Sequence, residues 1–347
     1  MRSLVLSAVL LALVAPAHAG SLVLVGGALQ DERIVQEIVR RAGGPGAKIG
    51  ILTASSKPES QDRARGTKDA SNSRVNGAAY VALFAKYGAK AEWIPIDLDH
   101  VEHNRDPALV AKVAGLGGVF FGGGDQSRYL TSLRGADGKD SPVLAAIRHG
   151  YEHGDMVLAG TSAGTAAMTE GPMITGGTSG RAFSKAVPSV LHGLGFFPHG
   201  LLDTHFGQRQ RQARIVRLAS DRGEKLAFGV DEDTALVVDD PFGKNPRMQV
   251  LGKNGVSIFR LDRARARQGK AWQISNVKFA YLGDGDRYHL GTNRVLIDRA
   301  KALVDGPGHA KLAGPHATIV GRPSYYKATR DGQLQRSMRG ATLSFRR

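Results

Sequence analysis

Short, continuous apolar runs alternate along the first half of the chain with longer stretches whose apolar residues recur every three or four positions. The runs predict strands over Ser21 to Val25, Lys48 to Thr53, Ala91 to Ile96, Gly118 to Phe121 and Met156 to Ala159. The longer stretches predict helices over Gln30 to Ala42, about Asn76 to Tyr87, near Leu109 to Ala114, Gln126 to Leu133 and Pro142 to Tyr151. The strand runs carry no polar alternation, which is the pattern of parallel strands covered by helices on both faces. The βαβα order predicts an α/β fold with a mainly parallel, doubly wound sheet over about Ser21 to Phe259. After residue 200 the pattern changes: Leu226 to Val238 and Gln249 to Phe259 read as β segments joined by a Pro/Gly turn. Beyond Arg260 one helix is expected over Arg294 to Leu303. From Ser324 onward large apolar residues are few, so a loosely ordered tail is expected.

The chain has 347 residues, enough for one large domain or two modest ones. It opens with Met1-Arg2, an apolar run from Leu4 to Val14, and Pro16-Ala17-His18-Ala19. A positive start, a short apolar core and an A-x-A site predict a secretory signal peptide cut after Ala19. The expected organisation is therefore a leader over residues 1–19, a catalytic α/β domain over 20–260 and a basic C-terminal extension over 261–347. The expected address is periplasmic or extracellular. No run is long and apolar enough to predict a transmembrane helix. With no cysteine, disulfides, thiolate metal sites and a cysteine nucleophile are excluded.

The formal charge of +16 is uneven, and Leu261 to Arg347 carry a net +11. Such a surface suits anionic polymers or an anionic envelope, although an Arg-rich solvated surface explains the charge equally well. No zinc-finger spacing and no aromatic RNA-binding motif accompanies it, so no nucleic-acid partner is expected. A homodimer is among the states the chain allows.

Candidate chemistry centres on VLAGTSAGTAAM, residues 157–168, where an apolar run becomes an Ala-rich helical pattern across Gly160-Thr161-Ser162-Ala163-Gly164. Small neighbours around a serine at a strand-to-helix turn describe a nucleophile elbow, G-x-S-x-G; the plainer reading is a glycine-bearing βα loop. Two further glycine-bearing strand ends, Gly26-Gly27 and Gly122-Gly123-Gly124, belong at the same carboxyl edge of the sheet. N–H groups of Gly123, Gly124 and Ala163 are candidates for an oxyanion site; GGGDQ as a phosphate cradle matches no phosphate motif. A serine needs a base. His205, at the end of the apolar run Leu201-Leu202-Asp203-Thr204, is the candidate. Arg209, Arg211 and Arg214 follow in what reads as the first turns of a helix, where cations oppose the helix dipole and suggest a bound anion. His149 and His153, four apart, lack a third ligand, and no metal or cofactor is expected.

GGGDQ, then GTSAG, then DTHFGQRQRQARI, then Gly229-Val230-Asp231-Glu232-Asp233-Thr234-Ala235 resemble, in order and spacing, the cyanophycinases of peptidase family S51, which also takes in aspartyl dipeptidase. The likeness covers roughly residues 21 to 260. It implies a fold related to the class I glutamine amidotransferases (flavodoxin-like), with serine in place of their cysteine. It also implies serine-type hydrolysis of cyanophycin, a poly-aspartate carrying arginine on its side chains, to β-Asp-Arg dipeptides, or of a related aspartyl peptide. By motif position Ser162 is the nucleophile and His205 its base, while Gln126, Asp203, Arg209, Arg211 and Arg214 face the substrate.

The resemblance also implies an acidic residue between serine and histidine. Between Ala163 and Leu202 the only carboxylate is Glu170. The expected partners of His205 are therefore Glu170, the hydroxyls of Thr178 or Ser179, or Asp231, which opens the acidic run Asp231-Glu232-Asp233 at the next strand end. A retained but reduced activity is the expectation. Two other readings stand beside this one. An α/β-hydrolase esterase would use Asp233 with His289, His309 or His316. A non-catalytic relative would bind an anionic polymer through its arginines.

Overall fold

The computed structural model describes residues 20–187, 191–304 and 310–346. The leader expected over residues 1–19 lies outside them.

Five strands build the parallel half of the first sheet: β1 (Ser21–Val25), β2 (Lys48–Leu52), β3 (Lys90–Ile94), β4 (Gly118–Phe121) and β5 (Val157–Thr161). They lie in the order β3-β2-β4-β5-β1. Their connections are helical: α1 (Glu32–Arg41), α2 (Ser73–Ala85), α3 (Pro107–Ala114), α4 (Gln126–Leu133) and α5 (Pro142–His153). Local chemistry starts these helices where the apolar periodicity begins. Asp31, Asn72, Asp106, Asp125 and Ser141 each accept a backbone N–H at a helix N-terminus, and Pro107 and Pro142 occupy first-turn positions that need no N–H. Alternate residues of β1 then serve two cores. Val23 and Val25 pack with Ile34, Val35 and Ile38 of α1, and Leu22 and Leu24 share the opposite core with Val143, Leu144 and Ile147 of α5. All four β1 side chains are fully buried, as strands covered on both faces must be.

After β5 comes the short α6 (Ala163–Ala166), then a two-stranded pair, β6 (Pro172–Met173) with β7 (Leu191–His192), then β8 (Leu201–Asp203), α7 (Gln212–Arg222) and β9 (Leu226–Val230). From here the sheet is not mainly parallel as expected. β10 (Thr234–Asp239), β11 (Arg247–Gly252), β15 (Arg287–His289) and β16 (Arg294–Leu296) extend the first sheet beyond β1, every pair antiparallel. A parallel neighbour needs a crossover of a dozen or more residues, usually a helix. Among the described residues no α-helix follows α7.

A second sheet takes the remaining strands. β12 (Gly255–Arg260) lies between β9 and β14 (Trp272–Gly283), with β13 (Arg265–Gln268) on the far end of β14. β20 (Gln333–Phe345) pairs with β14, with β18 (Ala317–Val320) and with β19 (Ser324–Arg330), and β17 (Ala302–Leu303) closes the edge on β19. β8 lies parallel beside β9 at the other edge. The inner face of this sheet, with Phe259, Phe279, Trp272 and Phe345, shares one core with Phe206 of the β8–α7 loop and the apolar stripe of α7.

Three expectations are corrected here. The boundary placed at residue 260 runs through this sheet, because β12 bonds to β14 along six residue pairs. The helix expected over Arg294 to Leu303 is two separate strands, β16 and β17; short apolar runs fit either period, and pairing with β15 and β19 decides. The tail expected to be loose holds the long β19–β20 hairpin, turned at Asp331-Gly332 with φ 51° and 72°, as a two-residue hairpin turn requires. Its inward residues include Met338, Leu343 and Phe345, and its polar Ser337 and Gln335 also point inward.

Those inward polar groups belong to a buried ionic network that ties the second sheet to the first. Lys301 Nζ lies 2.7 Å from Asp286, both side chains almost without solvent contact, and donates to the Asp284 carbonyl at 2.8 Å. Ser337 also donates to Asp286, while Arg33 of α1 and Arg330 of β19 converge on Asp284 at 3.2 and 2.6 Å. Removing one partner of a dry pair leaves the other charge stranded, at about 3–5 kcal/mol. Lys301→Ala is expected to destabilise the protein by about that amount in a denaturant titration. Arg40→Ala, which breaks an exposed helical pair with Glu37, is expected to change it by no more than about 0.5 kcal/mol.

Candidate active site

β5 runs straight into Ser162, whose φ of 53° and ψ of −115° mark a sharp, strained turn, and α6 starts at the next residue. The flanking glycines are required by contact. A Cβ on Gly160 would lie 2.7 Å from the carbonyl carbon of Gly164, and one on Gly164 would lie 2.1 Å from the Phe121 oxygen. The Ser162 N–H donates to the Val25 carbonyl at 3.1 Å, and the Thr165 hydroxyl sits 2.7 Å from the Val25 and Gly160 carbonyls. The elbow is thereby fastened to the end of β1.

His205 follows β8 by two residues, also at positive φ (47°), and its N–H donates to the Gly26 carbonyl at 2.6 Å. The imidazole lies over Gly27, where a Cβ would come within 2.3 Å of its Cε1. Its Nε2 is 2.7 Å from Ser162 Oγ, and its Nδ1 is 2.6 Å from the Glu232 carboxylate. The structure therefore brings Ser162 and His205 together. It assigns the third position to Glu232, between β9 and β10, where the chain crosses from the second sheet to the first.

None of the four expected partners touches His205. Asp231 points away from it, buried, accepting the Gly207 N–H at 2.7 Å and the Tyr281 hydroxyl at 2.8 Å. Successive residues of an extended segment project to opposite sides, which separates Asp231 from Glu232. Glu170 is exposed and lies near Glu224. The Thr178 hydroxyl accepts the Arg181 N–H, and Ser179 donates to the Gln210 carbonyl at 2.5 Å. The carboxylate thus follows the histidine in the chain rather than preceding it. Strand-end position was the signal for Glu232; which of the three adjacent carboxylates faces inward was not readable from that run.

The remaining candidates divide. Gly123 stands against the nucleophile, its would-be Cβ 3.4 Å from Ser162 Cβ; Gly124 follows with φ 152°, and Ala163 is the first residue of α6. Gln126 donates to the Ile174 carbonyl and so braces the loop beside the elbow. Asp203 is not open to a substrate as expected. It is 2% exposed and holds Arg214 through two bonds of 2.7 and 2.6 Å, and Arg211 at 3.0 Å. Arg214 is itself buried and also donates to the Gly177 carbonyl at 3.0 Å, so its role is to anchor this loop. The helix starts only at Gln212, which leaves Arg209 and Arg211 in the preceding turn rather than in the helix. Arg209 is exposed and Arg211 partly so.

Other histidines do not compete for Ser162. His289 lies in β15, and His316 meets Phe183 edge to face with ring centroids 5.1 Å apart; His309 lies outside the described residues. The esterase arrangement built on Asp233 is therefore not the one formed. Asp233 instead accepts the Gln30 N–H at 2.6 Å. His149 and His153 lie together on α5, ring centroids 5.1 Å apart.

Burial holds the His205 pKa below the ordinary histidine value, Glu232 opposes that shift, and the Arg209 and Arg211 charges add to it. The imidazole is thus neutral near pH 7. With Nδ1–H donated to Glu232, Nε2 is left to accept the Ser162 proton. The arrangement can therefore generate an alkoxide-like nucleophile and stabilise the imidazolium that forms.

The model of Peptidase family S51 matches residues 69–243, a span that contains Ser162, His205 and Glu232. The cyanophycinase of Nostoc sp. is 31% identical over 284 residues, covering 79% of this chain and 87% of that one. The cyanophycinase of Geminocystis herdmanii is 31% identical over 286 residues, covering 80% and 96%. A crystal structure of a peptidase from an acI-B1 Actinobacterium overlays with a TM-score of 0.52 at 20% identity, over 70% of this chain and 91% of that one, a likeness of fold.

Protonated His205 cannot take the serine proton, so the rate at which a fluorophosphonate labels Ser162 is expected to rise with pH and level off. Because the His205 pKa is lowered, the midpoint should fall below about 6.5. Arg209→Ala removes a charge that lowers this pKa and should move the midpoint up. Glu232→Gln removes the group that raises it and should move the midpoint down while lowering the plateau. The labelling rate against pH, measured by active-site titration, checks all three.

Proposed function

The chain belongs to peptidase family S51, and on that premise we propose that it is a serine-type peptidase that hydrolyses cyanophycin to β-Asp-Arg dipeptides. The observation that carries this reading is the continuous relay Ser162 Oγ, His205 Nε2, His205 Nδ1, Glu232, with links of 2.7 and 2.6 Å. The cyanophycinase relatives support the substrate. The order β3-β2-β4-β5-β1, with the nucleophile at the β5–α6 turn, supports a kinship with the class I glutamine amidotransferases.

In the proposed reaction Ser162 Oγ attacks the scissile carbonyl carbon as its proton passes to His205 Nε2. The carbonyl oxygen takes up the negative charge and is held by N–H groups of the Gly123-Gly124 loop and of Ala163. Collapse breaks the C–N bond, and the imidazolium gives its proton to the departing amine. Water then attacks the acyl-serine ester, with His205 as its base, and restores the free hydroxyl. Glu232 fixes the histidine tautomer and offsets the imidazolium charge in both halves. Arg209 and Arg211 suit the carboxylates that such a substrate carries. The pattern of Met1 to Ala19 supports export of the enzyme, and N-terminal sequencing of the mature protein from its native host is expected to start at Gly20.

Incubation with purified cyanophycin is expected to release β-Asp-Arg, detected by mass spectrometry, at a rate that EDTA does not change. Ser162→Ala should abolish release. Glu232→Gln should lower turnover by a factor on the order of 10⁴, the loss seen when an orienting acid is neutralised. Release at the wild-type rate by Ser162→Ala would overturn the assignment. A protein that binds the polymer and releases nothing would be a non-catalytic member of the family.

A further inference from the structure

Gly123 has a second neighbour besides Ser162. With Gly124 it lines a cavity of about 830 Å³ whose other wall is the segment joining β2 to α2. This junction is built, not incidental. The Ser55 carbonyl accepts the Asp125 N–H at 2.8 Å and Arg128 Nη1 at 3.0 Å, and the Ser55 hydroxyl donates to the Gly122 carbonyl at 3.0 Å. Gly124 lies so close that a Cβ would be 2.2 Å from the Ser55 oxygen. The glycine loop beside the nucleophile and the floor of the cavity are thus one rigid body.

Three cations surround this space: Lys57, Arg63 and Arg128. Asp62 stands among them, but its oxygens accept the Ala64 N–H, the Ser71 N–H and the Asn72 amide at 2.9–3.0 Å, so it serves to fold the wall on itself. Asp69 is the other acidic residue of the lining. Among the described residues neither Lys57 nor Arg63 makes an ion pair. Three cations against the two carboxylates of Asp62 and Asp69, of which Asp62 also attracts Lys57, leave this open concave space with a net positive charge that favours an anion. In cyanophycin, arginine is joined through its amine to the aspartyl side chain, so every repeat keeps a free carboxylate. We propose that this cavity is a second substrate subsite, in which Lys57 and Arg63 bind the carboxylate of a repeat flanking the one being cut. The inference rests on the polymer-hydrolase reading given above and makes these two residues determinants of preference for the polymer.

The test is binding of soluble, fluorescein-labelled cyanophycin to full-length Ser162→Ala protein by anisotropy, with and without Lys57→Ala and Arg63→Ala together. A charge-assisted bond contributes enough for loss of the pair to weaken binding by about tenfold or more, and the salt dependence of Kd should become shallower. The charge-preserving pair Lys57→Arg and Arg63→Lys should restore both quantities, which a folding defect would not do. Binding within about twofold of the Ser162→Ala parent, with an unchanged salt slope, would overturn this subsite alone. A parent that does not bind cyanophycin would overturn the substrate reading and this inference with it.

Discussion

The active site depends on the approach of main chain to main chain at closer than side-chain distance. Gly160 and Gly164 face one another across the elbow, Gly164 touches the Phe121 carbonyl, Gly27 lies under the His205 ring and Gly124 lies on Ser55. Each contact excludes a Cβ, and together they draw the ends of β1, β2, β4 and β5 into one corner. Ser162 and His205 can then face each other at 2.7 Å although 43 residues separate them. Both sit at positive φ, conformations that non-glycine residues hold only when their surroundings enforce them. The strain is sustained by the same crowding that produces the geometry.

Electrostatics complete what packing begins. Burial alone would keep His205 neutral and leave its protonated form unsupported; Glu232 supplies that support without abolishing the neutral state, and Arg209 and Arg211 set the balance. The arginines are themselves arranged by Asp203. A carboxylate with 2% exposure, it holds Arg214 in the interior and Arg211 at its edge, so that of three neighbouring arginines only Arg209 and Arg211 reach toward solvent. One buried anion thus decides which cations remain for a substrate.

The two sheets meet where these demands meet. The chain passes from β9 in the second sheet to β10 in the first through Asp231-Glu232-Asp233, and the three carboxylates bond in three directions. Asp231 joins Gly207 to Tyr281, Glu232 orients His205, and Asp233 holds the approach to α1 at Gln30. The basic C-terminal part contributes to this junction, because β14 and β20 continue the sheet of β9 and β12 edge to edge, and Lys301 and Arg330 close the ionic network on Asp284 and Asp286. Lys301 and Arg330 are thus structural cations, as is Arg128 on the Ser55 carbonyl, whereas Lys57 and Arg63 at the cavity beyond Gly123 make no ion pair among the described residues.

By itself the sequence determined whatever depends on local periodicity and local sterics. Unbroken apolar runs set apart by capped helices specified the five parallel strands, because such runs can be buried only between two layers of helix. The glycines around Ser162 specified the elbow, because only a turn crowded by backbone needs them. His205 was legible as a polar residue closing an apolar run. Tertiary structure decided what depends on neighbours distant in the chain. Arg294 to Leu303 fits helix or strand until β15 offers it an edge, and the polar residues of β20 look like surface until Asp284 and Asp286 pair with them in the interior. Asp231, Glu232 and Asp233 are chemically near-equivalent in the sequence. Which of them reaches the histidine is set by how the chain turns between two sheets, and that turn has no side-chain signature because it is imposed by the pairing of β9 with β12 and of β10 with β1.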